Sequence, residues 1–320
     1  MTITLRAVAA LSLVAALAGL AGCNDGSVVA AAKCTSGSTH SALTTPPDAV
    51  AAGSQALLDA MDVTSTLTFA NQTASAVSLG DTAKQAAAYA GLGAIQPVNG
   101  ATFAWLSTGY AGAGTPKALD PFAFSPQSGT DMGGAACADV TGTHDCVRLA
   151  FTFVAPADAN SVLFDFDFLS TEYPEWVGSG FNDSFTVSLA SPSFNYSNLV
   201  YDQNGAAINV DNVFFNQPCS AMSGTGFQIT EPFSTACDAG STGLLTTTSP
   251  VAPGETVTMV FEIYDATDGV YDSAVMIDNF RFDSTPVGTP NTGTPTPTPA
   301  VSPTPAPTET ATPAPTPACS

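Results

Sequence analysis

The sequence predicts an all-β fold, a two-sheet β-sandwich of jelly-roll or Greek-key type with one or two short N-terminal helices. Three observations carry this expectation. Phe164-Asp165-Phe166-Asp167-Phe168 alternates aromatic and acidic residues, which on a strand places three rings on one face and two carboxylates on the other. The same period recurs in Val147, Leu149, Phe151 and Phe153, in Phe185, Val187 and Leu189, and in Val257, Met259, Phe261 and Ile263. Charged residues make up only 10% of the 320, while Ser, Thr, Gly and Pro are abundant, a composition suited to short strands and turns.

Taken in order, residues 1–22 read as a secretory signal peptide: Arg6, an apolar run from Ala7 to Ala21, then Leu20-Ala21-Gly22-Cys23. A spanning helix needs about 20 apolar residues, and this run is shorter. Small residues directly before a cysteine match the lipobox of bacterial lipoproteins. Lipidation is therefore expected at Cys23, with membrane lipid as its partner and the chain exported to the cell surface or the periplasmic face. Residues 23–51, rich in Ser, Thr and Ala, read as a spacer. A folded domain is expected over 52–284, and the Thr-Pro repeats of 285–320 read as a disordered tail with no core-forming residues. That tail contains neither an apolar span nor a basic stretch, so the anchor is expected at the N-terminus.

Within the domain, Ala56, Leu57, Ala60 and Met61 fall at helical spacing behind Ser54, a candidate N-cap. Val63 to Phe69 alternates as a strand, Asp81 to Tyr89 reads as a brief helix, and Thr102 to Leu106 reads as a strand. The small residues Ser107-Thr108-Gly109 then suit a turn or a close backbone approach. Ala274 to Phe282 is a further strand.

Ser170 to Ser184 is too long for a hairpin turn, and Tyr173, Pro174, Trp176 and Phe181 make it too aromatic for disorder. It carries Glu172, Glu175 and Asp183 with no Lys or Arg, and a second acidic group follows at Asp265, Asp268 and Asp272, with Asp278 on the next strand. A hard cation such as Ca²⁺, which takes six to eight oxygen ligands, relieves repulsion of this kind. Glu172, Glu175, Asp183, Asp265, Asp272 and Asp278 are the candidate ligands; a solvated acidic rim is the competing reading. The twelve-residue EF-hand pattern is not met. Tyr173 and Trp176 are candidate ligand-binding rings, suited to stacking on sugars.

Cysteine placement agrees with export. Cys137 with Cys146, and Cys219 with Cys237, each close a short loop and are the expected disulfides; Cys34 and Cys319 lie in the low-complexity ends. Zinc is disfavoured by the lack of a C-x2-C spacing and by only two histidines, His40 and His144.

The segment STEYPEWVGSGFNDSF resembles the signature of the choice-of-anchor L domain, a family of bacterial surface domains with an acidic E-Y-P-E stretch, then V-G-S, then F-N-D before a strand. Leu106-Ser107-Thr108-Gly109, Ile208-Asn209-Val210 and Asp272 to Asp278 agree in order, so the resemblance spans roughly Ala52 to Asp283. Thr171 departs from it where the family commonly has an acidic residue, as does Thr186-Val187-Ser188. The resemblance implies a domain without catalytic activity.

Six basic residues against 27 acidic ones give a net charge of −21, which repels phosphate backbones and excludes nucleic acid as a partner. Nucleophilic triads lack a base in any recognisable motif, His144, Lys84 and Lys117 being the domain's candidates. The expected function is a non-catalytic, Ca²⁺-stabilised surface lipoprotein domain for adhesion, matrix assembly or glycan binding, its partner an extracellular glycan or surface protein. The alternative is a secreted carbohydrate-active enzyme using two carboxylates about 5 to 9.5 Å apart.

Overall fold

The computed structural model describes residues 54–67, 75–79, 85–111, 137, 142–227 and 239–294. The expectations for Cys23, Cys34, Cys237 and Cys319 lie outside them. Helices α1 (Ser54–Ala60) and α2 (Val63–Thr66) come first. Strands β1 (Ser75–Leu79), β2 (Ala86–Tyr89), β3 (Phe103–Ser107), β4 (Thr143–Val154), β5 (Ser161–Ser170), β6 (Ser184–Ala190) and β7 (Asn195–Tyr196) follow. After a 3₁₀ turn at Cys219–Met222 come β8 (Gly240–Ser241), β9 (Leu245–Pro250), β10 (Thr256–Ala266), β11 (Ser273–Asp283) and β12 (Asn291–Gly293).

These strands form two sheets. One has the order β1-β4-β10-β6-β7, the other β12-β9-β5-β11-β3-β2 with β8 beside β5, and all pairings are antiparallel. The all-β sandwich is thus the observed fold. Its core is made by the alternating rows read from the sequence: Phe164, Phe166 and Phe168 of β5 face Phe185, Val187 and Leu189 of β6 and Val257 to Ile263 of β10, all buried. Phe164 meets the ring of Phe261 edge-on at 4.9 Å, and Phe166 meets Phe185 at 5.0 Å. Each such side chain contributes about 1.5–3 kcal/mol by leaving water.

A second, smaller core lies on the outer face of the second sheet, where Phe103, Trp105, Leu169, Ala274 and Met276 are covered by Met222 and Phe227. β3 is consequently buried on both faces. β5 carries Asp165 on that same outer face, where it accepts hydrogen bonds from Thr246 and Asn279 and pairs with Arg281 at 3.3 Å, lining a groove of about 450 Å³.

Three expectations are corrected. Val63–Thr66 is a helix, not the start of a strand. Val63 and Leu67 are both buried, and a spacing of four satisfies the strand period and the helix period alike. Packing decided: Asp62 turns the chain at φ 66, and α2 sits against β11 with Thr66 Oγ1 donating to the Phe280 carbonyl at 2.8 Å. Ala86–Tyr89, read as the end of a helix, is a strand paired with β3: Ala87 fits opposite the bulky Trp105, and Tyr89 opposite Phe103 brings two rings together at 6.1 Å. Finally, ordered structure runs past residue 284: β12 pairs with β9, and the hydroxyls of Thr247 and Thr292 share a hydrogen bond of 2.8 Å.

Candidate functional site

At one end of the sandwich, each inward-facing row continues for one more step of two residues into a polar group. The row of β4 (Val147, Leu149, Phe151) continues to Asp145, that of β6 to Asp183, that of β10 to Asp265, that of β5 to Ser170 and Glu172, that of β3 to Thr108 and that of β11 to Ser273. Alternation along a strand carries the inward direction on β3, β6 and β11, whereas β4 bulges beside Asp145, at φ 47, before its pairing with β10 resumes at His144 and Asp265. The residues that end the rows are all buried; Asp145, Asp183, Asp265 and the neighbouring Asp272 are at 0% exposure and Glu172 at 1%. The end of the hydrophobic core is therefore a layer of carboxylates and hydroxyls.

The two acidic loops are stitched together across this layer. Thr171 donates from both its backbone N–H and its hydroxyl to the Asp272 carbonyl, at 3.2 and 3.1 Å. Thr267 Oγ1 donates to the Gly180 carbonyl at 3.0 Å. Asp183 joins three elements, accepting from the Ala266 N–H at 2.9 Å through Oδ1 and from Ser273 Oγ at 2.6 Å through Oδ2. Ser273 in turn is held by Thr108, whose hydroxyl accepts from the Ser273 N–H at 2.9 Å and whose N–H donates to its carbonyl at 2.9 Å. Gly109 leaves room for Asp272: a Cβ there would stand 2.2 Å from Asp272 Oδ2.

Asp265 is the exceptional member. Neither of its carboxylate oxygens makes a hydrogen bond of good geometry, and Asp183 and Thr108 are the side chains close enough to act on it as partners. Thr108, the nearest hydroxyl acting on it, is already engaged with the Ser273 backbone. Burial raises the Asp265 pKa well above the usual carboxylate range, and the charges of Asp183, Asp272 and Asp145 raise it further. Asp183 is raised as well, first by burial and against the lowering effect of its hydrogen bonds. Glu172, whose Oε2 has no partner, is pushed up to about 9 by burial and by the charges of Asp183 and Asp268. Among the described residues, the charged groups acting on these acids are other carboxylates, which oppose ionisation where a salt bridge would favour it.

Not every candidate joins this layer. Glu175 is exposed on the loop surface. Asp278 lies six positions beyond Asp272, about 20 Å along extended chain. It serves instead as an anchor, accepting from the N–H groups of Val98 at 2.6 Å, Asn99 at 3.2 Å and Asn279 at 2.6 Å, with burial raising its pKa to about 6. Tyr173 packs against Phe215 at 5.2 Å and over Gly240, where a Cβ would meet its ring at 2.3 Å; it is a half-buried packing residue. Trp176 leans on Phe181 and Tyr271, and together with Glu172, Asp268 and Val270 these rings line a slot of about 80 Å³ beside the carboxylate layer. Among the described residues, the three acid, histidine or cysteine ligand atoms that come within 4.8 Å of one another belong to Cys137, Cys146 and Glu262. There the sulfurs are joined in the expected Cys137–Cys146 disulfide. Cys219 is disulfide-bonded as well.

A family model for the choice-of-anchor L domain matches residues 58–283, the two sheets and the acidic layer included. The chain belongs to the choice-of-anchor L family. It is thereby a member of a family of surface-associated domains, and the loop that carries Glu172 and Asp183 is the segment whose sequence first resembled that family. No match was found among curated proteins. Among solved structures, the enzymatically active domain of tailspike protein 4 from bacteriophage CBA120 is similar at 9% identity and a TM-score of 0.24, over 67% of this chain and 20% of that one. A likeness at that level carries no argument about this choice-of-anchor L domain.

Asp145 escaped the sequence reading because it stands in Thr143-His144-Asp145-Cys146, where the cysteine drew the interpretation. The signal was present in its parity with Val147, Leu149 and Phe151. Thr108 and Ser273 were equally legible by parity, although neither carries charge.

Proposed function

We propose that the carboxylate layer binds one divalent cation of the Ca²⁺ type and that the domain is a non-catalytic surface module whose loops the cation holds. The observation that carries this is Asp265, fully buried with no hydrogen bond of good geometry to either oxygen and with three further carboxylates acting on it. An isolated buried carboxylate is strongly disfavoured unless paired or coordinated, and hard oxygen donors of this kind suit Ca²⁺. The ligands are drawn from Asp265, Asp183, Asp272 and Asp145, with the Thr108 hydroxyl and neighbouring carbonyls available to complete the shell. Glu172, which lines the slot beside the layer, is left out of this set, as are Glu175 and Asp278 by their positions.

Burial of these acids at the end of the core, away from an open cleft, supports a binding role over the two-carboxylate hydrolysis of glycosides, which needs the pair to flank an accessible bond. Export and anchoring through an acylated Cys23 complete the reading, placing the module on a membrane surface with an extracellular glycan or protein as partner.

The test is thermal unfolding and calorimetric titration of the mature chain with Ca²⁺ or chelator. A cation that binds only the folded form stabilises by RT ln(1 + [L]/Kd), about 2.7 kcal/mol at a hundredfold excess over Kd. A rise in midpoint with Ca²⁺, absent from Asp265→Asn, is the expected result. Equal midpoints with Ca²⁺ and with chelator would overturn the proposal.

A further inference from the structure

The slot between Trp176, Phe181 and Tyr271 lies outside the metal set and has a different chemistry. The rings do not stack. Trp176 meets Phe181 at 72° with centroids 5.2 Å apart, and Tyr271 at 50° and 6.0 Å, so they form the walls of a corner. Val270 adds an apolar surface, and two carboxylates, Glu172 and Asp268, complete the lining. Glu172 is buried with Oε2 unpartnered, while Asp268 uses Oδ1 to accept from the Val270 N–H at 3.1 Å.

Aromatic faces beside carboxylates attract an organic cation, through the ring quadrupole and through charge, and a cation seated there would restore to Glu172 the ionised form that burial opposes. The size of the slot limits which cation. Its roughly 80 Å³ is far below the 300–1,000 Å³ usual for whole small-molecule ligands. A slot of this size suits the head group of a side chain rather than a whole ligand. The unpartnered Glu172 oxygen limits the choice further. It needs an N–H donor, which a primary ammonium supplies three times over and a quaternary ammonium does not supply at all. A lysine stem also packs its methylenes on apolar surface while its head seeks polar groups.

We infer that this slot is a receptor for the end of a lysine side chain presented by a partner protein, with Glu172 accepting from the ammonium and Trp176, Phe181 and Tyr271 flanking the methylenes next to it. The inference goes beyond cation binding at Asp265 and does not require it. It gives the surface module a class of partner, a basic protein surface complementary to a chain of net charge −21.

The experiment is a calorimetric and fluorescence titration of the mature chain, in chelator, with Nα-acetyl-lysine N-methylamide, its norleucine counterpart, and choline. Trp105 is fully buried, so a fluorescence change reports Trp176. The lysine derivative is expected to bind at least tenfold more tightly than the norleucine derivative and choline. Glu172→Gln, nearly isosteric, and Trp176→Leu, on the half-exposed loop, should each weaken it at least tenfold. Asp265→Asn should bind it unchanged, which separates failure here from failure of the metal site. Equal affinity for lysine and norleucine derivatives, or choline binding as tightly as lysine, would overturn the inference, as would an unaltered affinity in Glu172→Gln.

Discussion

Gly109 and Asp272 are fitted to each other: the Asp272 carboxylate occupies the space that a Cβ on residue 109 would fill, at 2.2 Å from Oδ2. Gly109→Ala must therefore displace a fully buried carboxylate. The expected cost is about 1–3 kcal/mol, as for overpacking elsewhere, measured by denaturant unfolding. Loss of the Ca²⁺ response should accompany it, since Asp272 would leave the layer.

Asp265→Asn separates structural from ligand roles. In chelator the variant should be more stable than wild type at pH 8, because it removes a buried charge with no hydrogen bond of good geometry. In Ca²⁺ the order should reverse. Thermal midpoints in both buffers check it; a variant less stable in both would show that Asp265 is held by the fold itself.

Asp167 predicts a pH dependence away from the metal. It sits half-buried under the Ser241 to Gly243 turn, and burial raises its pKa to about 7, against the lowering effect of hydrogen bonds from Ser241, Thr242 and Gly243. A carboxyl whose folded pKa exceeds its unfolded value of 3.8 binds more protons when folded, so its contribution is full below about pH 4 and is lost as pH rises to about 7. Asp167→Asn should flatten that part of the stability profile, leaving stability at pH 3 unchanged and raising it at pH 8. Denaturant midpoints across this range make the comparison.

The Cys137–Cys146 disulfide, with a sequence separation of 9, closes a short loop next to Asp145. Replacing both cysteines by serine should lower stability by about 2–3 kcal/mol, the range for small loops. Calorimetric unfolding measures it. The Ca²⁺ midpoint shift should shrink too, because Asp145 is adjacent to the freed Cys146.

Much of this was legible in the sequence wherever one period was unambiguous. Phe164, Phe166 and Phe168 admit only a strand with one apolar face, and the rows at 147–153 and 257–263 gave the partners that cover it. Val63 and Leu67 satisfied two periods at once, so contact with β11 had to choose. Ala86 to Tyr89 went against propensity because it completes the edge of the sheet beside β3, with Ala87 opposite Trp105 and Tyr89 opposite Phe103. For the acids, residue type picked out Glu172, Asp183, Asp265 and Asp272, all of which are buried. It failed at Asp278, which shares the parity of the outer face with Asp165, its partner in register, and at Asp145, which only parity identifies.

Because the acidic layer is written as one further step on separate strands, it records their alignment. A slip of one residue turns a strand's whole side-chain set to the other face, and in β4, β6 or β10 it would carry Asp145, Asp183 or Asp265 out of the interior. A cation that requires all three would bind only the chain whose strands have found their proper register. For a surface-associated domain, the proposed ion would then act as an inspector of assembly, fixing the correct fold and leaving misaligned copies to open again.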